Sequence, residues 1–156
     1  MKTVLVTGGT RGIGLSTALK FKEDGWNVYI TSRKQENLDA VLEDHSNLKG
    51  FVARADDLSA ATETCESIVS DTGSLDVLIN NAGTNPSGGS LLDVDLSAVQ
   101  KTWDVNLMGP LMWTREAVKA GLKESVLNVC SVGGIKPSHY MGAYNISKAG
   151  LIYMTK

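Results

Sequence analysis

The chain has 156 residues, a length that predicts a single domain over residues 1–156. Hydrophobic residues make up 42% of the chain and charged residues 21%, which excludes disordered and collagen-like proteins. The net charge of −2 argues against a nucleic-acid-binding or membrane-surface protein, and no apolar run approaches the ~20 residues that a membrane-spanning helix needs.

Strand-like and helix-like segments alternate along the chain. The predicted strands cover residues 2–6, 28–30, 50–53, 75–79 and 126–130, and the predicted helices cover residues 12–24, 35–44, 59–70, 97–120 and 140–156. Ser59 is the predicted N-cap of the third helix, and a loop is predicted over 85–90. The strands are apolar on both faces, as in a parallel sheet that helices cover on both sides. We therefore predict a doubly wound, Rossmann-like α/β fold.

The turn between the first predicted strand and the first predicted helix is rich in glycine and reads TGGTRGIG over residues 7–14. Gly8 permits a tight turn, Gly12 lets the backbone approach a ligand, and Gly14 lets the helix pack closely on the strand. A pyrophosphate here would bind free backbone N–H groups and the positive end of the helix dipole. The G-x-x-x-G-x-G spacing also fits an ordinary strand-to-helix turn, so the motif alone leaves both interpretations open.

The end of the second predicted strand selects between nicotinamide cofactors. An acidic residue there binds the ribose 2′-hydroxyl of NAD, whereas an arginine accommodates the 2′-phosphate of NADP. Here the chain reads TSRK over residues 31–34, so Arg33 stands without an acid, and Arg11 could flank the same phosphate. The pattern predicts NADP(H) in preference to NAD(H). The alternative is that Arg33 is a solvated charge at the start of a helix.

Tyr144 and Lys148 are four residues apart on the last predicted helix and therefore share one face. An ammonium group beside a phenol stabilises the phenolate, so Tyr144 could exchange a proton with a carbonyl or alcohol oxygen. A pair at this spacing also arises by chance, and alone it does not establish an active site.

Several motifs occur together in one order along the chain. They are TGxxxGIG over residues 7–14, Asp57-Leu58, NNAG over residues 80–83, Asn106, Ser131 and Tyr144-x-x-x-Lys148. The set resembles the short-chain dehydrogenase/reductases. Within that family it most resembles the members that are similar to 3-oxoacyl-carrier-protein reductase. The resemblance implies an NADP(H)-dependent oxidoreductase that moves a hydride between nicotinamide and a carbonyl or alcohol carbon of a small molecule.

The resemblance also implies the catalytic side chains. Tyr144 resembles the general acid/base, and Lys148 resembles the group that stabilises its phenolate and holds the nicotinamide ribose. Ser131 resembles the hydroxyl that hydrogen-bonds the reacting oxygen. Asn106 resembles the fourth member, which relays protons through water to Lys148.

The same resemblance implies the cofactor contacts. Asp57 and Leu58 resemble the adenine contacts, and the turn after the fourth strand resembles the lining of the adenosine side. The predicted cofactor-binding residues are Gly8, Thr10, Arg11, Gly12, Ile13, Gly14, Arg33, Asp57, Leu58, Asn81, Ala82, Gly83, Tyr144 and Lys148, and no metal site is predicted.

Pro110 lies inside the predicted helix over 97–120. It has no N–H to donate to the carbonyl of Asn106, four residues earlier, so we expect a local bend. The freed carbonyl could hold the relay water, and the alternative is a merely tolerated kink.

Cys65 and Cys130 have neither a CxxC nor a metal-site spacing. We expect both to be reduced and buried in a cytoplasmic protein, and we expect His139 to lie in a solvated loop.

The resemblance extends past the residues of this chain. Family members continue after the Tyr/Lys helix with segments that complete the nicotinamide and substrate walls, and they pair through the helices that here cover 97–120 and 140–156. We therefore expect a sheet that is incomplete after the fifth strand, and a homodimer or homotetramer. One alternative is a catalytically silent NADP-binding fragment or interaction module. Another is an epimerase or dehydratase of the extended relatives, against which the glycine spacing and the NNAG motif count.

Overall fold

A computed structural model describes residues 1–86 and 88–156. Its five strands are all parallel and form one sheet in the order β3-β2-β1-β4-β5. They are β1 (Thr3–Val6), β2 (Asn27–Ser32), β3 (Lys49–Val52), β4 (Val77–Asn80) and β5 (Ser125–Asn128). The strand order changes direction between β1 and β4, where open α/β sheets have a crevice at the carboxyl ends of the strands. The predicted doubly wound α/β fold is confirmed.

Helices cover both faces of the sheet. They are α1 (Gly12–Glu23), α2 (Gln35–Asp44), α3 (Leu58–Thr72), α4 (Leu96–Trp103), α5 (Gly109–Lys119) and α6 (Gly142–Met154), with a π-helical turn at Asp104–Met108 and a 3-10 turn at Val132–Gly134. Leu5 of β1 is buried with Ile68 and Trp113, whereas its neighbours Val4 and Val6 lie in a second core with residues of α1 and α2. The two cores explain why the strands are apolar on both faces.

Helix α3 begins one residue earlier than predicted, and Ser59 is not its N-cap. The cap is Asp57, whose carboxylate accepts a hydrogen bond from the backbone N–H of Ala60 at 3.1 Å. Ser59 lies inside the helix, where its hydroxyl bonds the exposed Glu63. A helix has one N-cap, so Asp57 takes the position that the sequence predicted for Ser59.

Replacing Asp57 by alanine should lower the free energy of unfolding by about 1 kcal/mol, because an N–H of the first turn of α3 loses its acceptor. Ser59→Ala should change stability much less, since Ser59 caps nothing. Urea unfolding of the two variants beside the wild type measures both effects. Equal losses in the two variants would contradict the assignment of the cap.

The predicted helix over 97–120 is not one continuous α-helix. At the π-helical turn the N–H of Gly109 donates to the carbonyl of Asp104, five residues back, which widens the helix by one residue. Pro110 follows directly and has no N–H to continue the regular ladder. The expected local irregularity is therefore present, and it takes the form of a π turn that contains the buried Asn106.

The last elements are shorter than predicted. Strand β5 ends at Asn128, so Cys130 and Ser131 lie in the segment after it, and α6 begins at Gly142 and ends at Met154. Cys65 is buried as expected, whereas Cys130 is only half-buried, so that part of the prediction is wrong. His139 is exposed as expected. The predicted loop over 85–90 includes Ser87, which lies outside the described residues.

Among the residues that the structure describes, no helix has the length and apolar character needed to cross a membrane.

Candidate active site

A cavity of about 600 Å³ opens at the carboxyl ends of the strands, beside the crevice between β1 and β4. Most of its wall comes from the glycine-rich turn, the end of β2 and the segments that follow β2, β3 and β4, with single residues from α2, α4 and the π-helical turn. Of the predicted cofactor contacts, it brings together Gly8, Thr10, Arg11, Gly12, Ile13, Arg33, Asn81, Ala82 and Gly83. It also includes residues that the sequence did not single out: Thr31, Ser32, Lys34, Asn37, Ala53, Arg54, Ala55, Asp56, Thr84, Lys101 and Val105.

The glycine-rich turn is held in shape by the end of β4. The amide nitrogen of Asn81 donates to the carbonyls of Thr7 at 2.9 Å and Gly8 at 3.0 Å. In return, the hydroxyl of Thr7 accepts from the backbone N–H groups of Asn81 and Ala82, each at 3.1 Å. These bonds cross between two neighbouring strands, so the turn is fixed before any ligand binds.

Two glycines of the turn have different functions. Gly12 has a φ of 53°, a left-handed conformation that favours glycine, and a β-carbon there would have no neighbour within 4 Å. Gly14 is buried, and a β-carbon there would lie 2.4 Å from both the Asn81 amide nitrogen and the Gly8 carbonyl oxygen. Gly14 therefore serves the close packing of α1 on the turn, and contrary to its prediction as a cofactor contact it does not line the cavity.

The N-terminus of α1 is available to an anion. No side chain caps this 12-residue helix, and its first turn contains no acidic residue. The first N–H groups of a helix have no partner within the helix, and they carry the positive end of its dipole. Since Gly12 and Ile13 line the cavity, a phosphate group placed there would meet these donors.

Two arginines stand on the cavity wall without a fixed partner. Arg11 and Arg33 are exposed, and neither forms a salt bridge or a side-chain hydrogen bond within residues 1–86 and 88–156. The neighbouring Lys34 differs, because it pairs with Glu36 at 3.0 Å. A guanidinium without a competing carboxylate suits a second phosphate, so the residues present fit a phosphorylated dinucleotide.

The structure does not bring the predicted adenine contacts Asp57 and Leu58 to the cavity. The carboxylate of Asp57 caps α3, and Leu58, the first residue of that helix, is 46% exposed. The segment just before them lines the cavity instead, through Arg54, Ala55 and Asp56. No local signal separates the two adjacent aspartates, because both precede α3 and aspartate favours N-cap positions.

Asp56 links the segment after β3 to helix α4. Its carboxylate, 16% exposed, accepts hydrogen bonds from the ammonium of Lys101 and, at 3.3 Å, from the guanidinium of Arg54. Burial opposes ionisation, but the two cations outweigh it and lower the pKa of Asp56. The carboxylate is therefore held as an anion. No sequence motif pointed to Lys101.

The predicted cofactor contacts Tyr144 and Lys148 do not line the cavity, but Lys148 lies next to Gly83 of its wall. Its side chain is almost fully buried, and its ammonium donates to the carbonyl of Val129 at 2.7 Å. The ammonium is 5.8 Å from the centre of the Tyr144 ring, and it would lie 3.9 Å from a β-carbon on Gly83, a residue of the cavity wall. Burial lowers the pKa of Lys148. Tyr144 and Lys148 thus lie on one face of α6, and the ammonium of Lys148 faces the turn after β4.

Asn106 is fully buried, and both its amide nitrogen and its amide oxygen form hydrogen bonds. The amide nitrogen donates to the carbonyl of Thr84 at 2.8 Å and to the hydroxyl of Ser147 at 3.1 Å, and the amide oxygen accepts from the N–H of Thr84 at 2.8 Å. A relay through water would therefore use its main-chain carbonyl, to which Pro110 cannot donate. Sequence reasoning missed Ser147, which joins this network from α6.

Ser131 follows β5 and caps the 3-10 turn. Its oxygen accepts from the backbone N–H of Gly133 at 3.1 Å, which leaves the hydroxyl proton to donate elsewhere. The turn packs directly on α6, since a β-carbon on Gly134 would lie 2.7 Å from the carbonyl carbon of Lys148. Ser131, Tyr144 and Lys148 are thus carried by two elements in direct contact.

The chain is similar to known enzymes over its whole length. The sequence model described as short chain dehydrogenase matches residues 2–156. Dehydrogenase/reductase SDR family member 4 from Pongo abelii is 35% identical over 168 residues, which cover 99% of this chain and 58% of that protein.

Solved structures agree with the sequence comparison. ElxO with NADP bound is 30% identical with a TM-score of 0.92, and the match covers 98% of this chain and 64% of that one. NAD+-bound xylitol dehydrogenase is 27% identical with a TM-score of 0.92, over 99% of this chain and 62% of that one. The chain therefore spans less than two thirds of the length of the relatives that it matches.

Proposed function

The chain belongs to the short-chain dehydrogenase family, and from this premise we propose that it binds NADP(H) and transfers a hydride between the nicotinamide and a carbonyl or alcohol carbon of a small molecule. One observation carries the proposal: a single cavity has the unpaired Arg11 and Arg33 on its wall and reaches Gly83, beside the buried ammonium of Lys148. A phosphorylated dinucleotide spans these two features.

The nicotinamide, when bound, supplies the hydride for reduction or receives it in oxidation. In the direction of reduction, the hydroxyl of Tyr144 donates a proton to the substrate oxygen, and the Lys148 ammonium stabilises the phenolate that remains. Ser131 donates a hydrogen bond to the same oxygen and so lowers the energy of its developing charge. In oxidation the phenolate of Tyr144 removes the proton from the alcohol.

The choice of cofactor rests on this chain's own residues. ElxO is described with NADP and xylitol dehydrogenase with NAD+, so membership of the family leaves the choice open. Arg33 directly follows β2, and residues 31–34 contain no acidic residue, whose carboxylate there would repel a 2′-phosphate. This arrangement supports NADP(H).

We also propose that two or four copies of the chain associate through helices α4, α5 and α6 in the cytoplasm. Exposed apolar side chains on these helices, and on the π-helical turn between α4 and α5, support the association: Leu96, Met108, Leu111, Val118, Ile146 and Tyr153. Light scattering after gel filtration measures the number of copies, and a monomer at micromolar concentration would contradict this part of the proposal.

Titration of the purified chain with NADPH and with NADH, followed by nicotinamide fluorescence, tests the cofactor. We expect NADPH to bind more tightly. Arg33→Ala should weaken NADPH binding about 10- to 100-fold, because a charged hydrogen bond to phosphate contributes roughly 1.5–3 kcal/mol, and NADH binding should change little.

The matched control is Arg115→Ala, which removes an exposed arginine of α5 that does not line the cavity. Its NADPH affinity should equal that of the wild type. A preference for NADH that persists in Arg33→Ala would overturn the assignment to NADP(H). Binding of NADPH without turnover of any ketone would identify the chain as a silent binding module.

A further inference from the structure

Tyr144 lies close to the amino end of its helix. Helix α6 begins at Gly142, so Tyr144 is its third residue, whereas Lys148 lies one turn further along and is almost fully buried. No side chain caps this helix at Met141, and its first turn has no acidic residue to offset the free N–H groups. Helix ends fray, so the position of Tyr144 depends on contacts from outside α6.

One such contact comes from Trp103, the last residue of α4. Its indole N–H donates to the backbone carbonyl of Ala143 at 3.2 Å. Ala143 immediately precedes Tyr144 and is itself buried. Among residues 1–86 and 88–156, this is the one hydrogen bond that reaches the first turn of α6 from another helix. It therefore ties the backbone next to Tyr144 to the end of α4.

The second turn of α6 is held by other bonds. The hydroxyl of Ser147 accepts from the buried amide of Asn106 at 3.1 Å, and the ammonium of Lys148 donates to the carbonyl of Val129 at 2.7 Å. Neither bond involves the first turn. Loss of the bond from Trp103 would therefore leave Lys148 in place and loosen the turn that carries its partner.

We propose that Trp103 is a positioning residue, which holds Tyr144 at its distance from Lys148 through the carbonyl of Ala143. The ammonium is 5.8 Å from the centre of the Tyr144 ring, and its attraction for a phenolate weakens as the two groups separate. Displacement of a reacting group also lowers the rate steeply. Trp103 does not line the cavity, so it acts through Tyr144. The inference rests on the proposed function and adds a residue that supports its general acid.

Trp103→Phe tests the inference, because it removes the indole N–H and keeps an aromatic ring at the same position. We expect kcat for ketone reduction by NADPH to fall about 3- to 10-fold, the rate equivalent of the net contribution of one hydrogen bond. The dissociation constant of NADPH, measured by fluorescence titration, and the KM for the ketone should not change, since Trp103 lies outside the cavity.

A double variant separates positioning from a general structural effect. In Tyr144→Phe the hydroxyl that Trp103 positions is absent, so adding Trp103→Phe should lower the remaining rate no further. A general loss of packing around α6 would instead lower the rate by the same factor with and without that hydroxyl. Single turnovers with enzyme in excess, followed by the loss of NADPH fluorescence, measure these slow rates.

Trp26→Phe is the matched control. Trp26 is half-buried like Trp103, but it precedes β2 at the end of the sheet opposite the cavity, where it packs against Phe21 with ring centres 4.9 Å apart. The substitution should leave kcat unchanged. If Trp103→Phe does not fold, 3-benzothienylalanine at position 103 provides the same comparison, because it replaces only the indole N–H with sulfur.

The possible outcomes distinguish this inference from the proposed function. Wild-type kcat in Trp103→Phe, or an equal loss of rate with and without the Tyr144 hydroxyl, would overturn the role of Trp103 and leave the proposed function intact. A loss of rate that follows entirely from weaker NADPH binding would also overturn it. Absence of ketone reduction by the wild type would overturn the proposed function and this inference together.

Discussion

Replacing Tyr144 by phenylalanine is expected to lower the rate of ketone reduction by NADPH about 10²- to 10⁴-fold, the usual contribution of a positioned general acid. The substitution removes only the phenolic hydroxyl, so the ring remains on α6 with Lys148 below it. The proton that must reach the substrate oxygen as the hydride reaches the carbon then has no donor. Steady-state oxidation of NADPH in the presence of ketones measures kcat, and the fluorescence titration measures cofactor binding.

Cofactor binding should survive this substitution, because the residues proposed to bind the phosphate groups lie in the glycine-rich turn and after β2. Tyr153→Phe is the matched control: Tyr153 is on the same helix but is 75% exposed, so its loss should change neither quantity. Full activity in Tyr144→Phe would contradict the assignment of Tyr144 as the general acid. A fall in NADPH affinity that accounts for the whole loss of rate would make Tyr144 a binding residue.

Replacing Gly14 by alanine is expected to abolish measurable NADPH binding and to lower the free energy of unfolding by about 1–3 kcal/mol, the usual cost of overpacking. The added methyl group would lie 2.4 Å from the Gly8 carbonyl oxygen and the Asn81 amide nitrogen. Asn81 holds the turn by two hydrogen bonds, to Thr7 and Gly8. The methyl group can be accommodated only if the turn or its anchor moves.

Ser16→Ala provides the control for this experiment. The substitution adds no bulk, and Ser16 is an exposed residue of α1, two positions after Gly14. Alanine slightly favours the helical conformation there. Urea unfolding and NADPH titration of both variants separate general helix effects from the turn. Wild-type affinity and stability in Gly14→Ala would show that the turn tolerates displacement, contrary to the packing described above.

The alternation of strands and helices could be predicted because it depends on local patterns. Apolar runs such as 77–79 are buried on both sides of the sheet, as parallel strands between helices require. The structural functions of the glycines at 8, 12 and 14 could also be predicted. Few other residue types fit a tight turn or a close packing contact. That Tyr144 and Lys148 share one face of a helix follows from their spacing of four residues alone.

The functions of Asp56 and Asp57 could not be separated in this way. Both aspartates precede a helix, and either could cap it or face a ligand. The indole of Trp113 and the close approach of Gly109 hold the preceding carbonyl, which aims Asp57 at the first turn of α3 and Asp56 at the cavity. These contacts join residues more than fifty positions apart, so no local pattern contains them.

The network around Asn106 shows the same limit. A missing N–H at Pro110 predicted an irregular helix, but the π turn and the bonds of Asn106 to Thr84 and Ser147 depend on how α6 packs against that helix. Residue type and periodicity thus define the elements and the family motifs, because backbone and side-chain chemistry act over a few residues. The packing of distant segments decides which carboxylate lines the cavity and which groups Lys101 and Ser147 contact. A shift of one position along a helix or loop changes the direction of a side chain, so these contacts are absent from any local pattern.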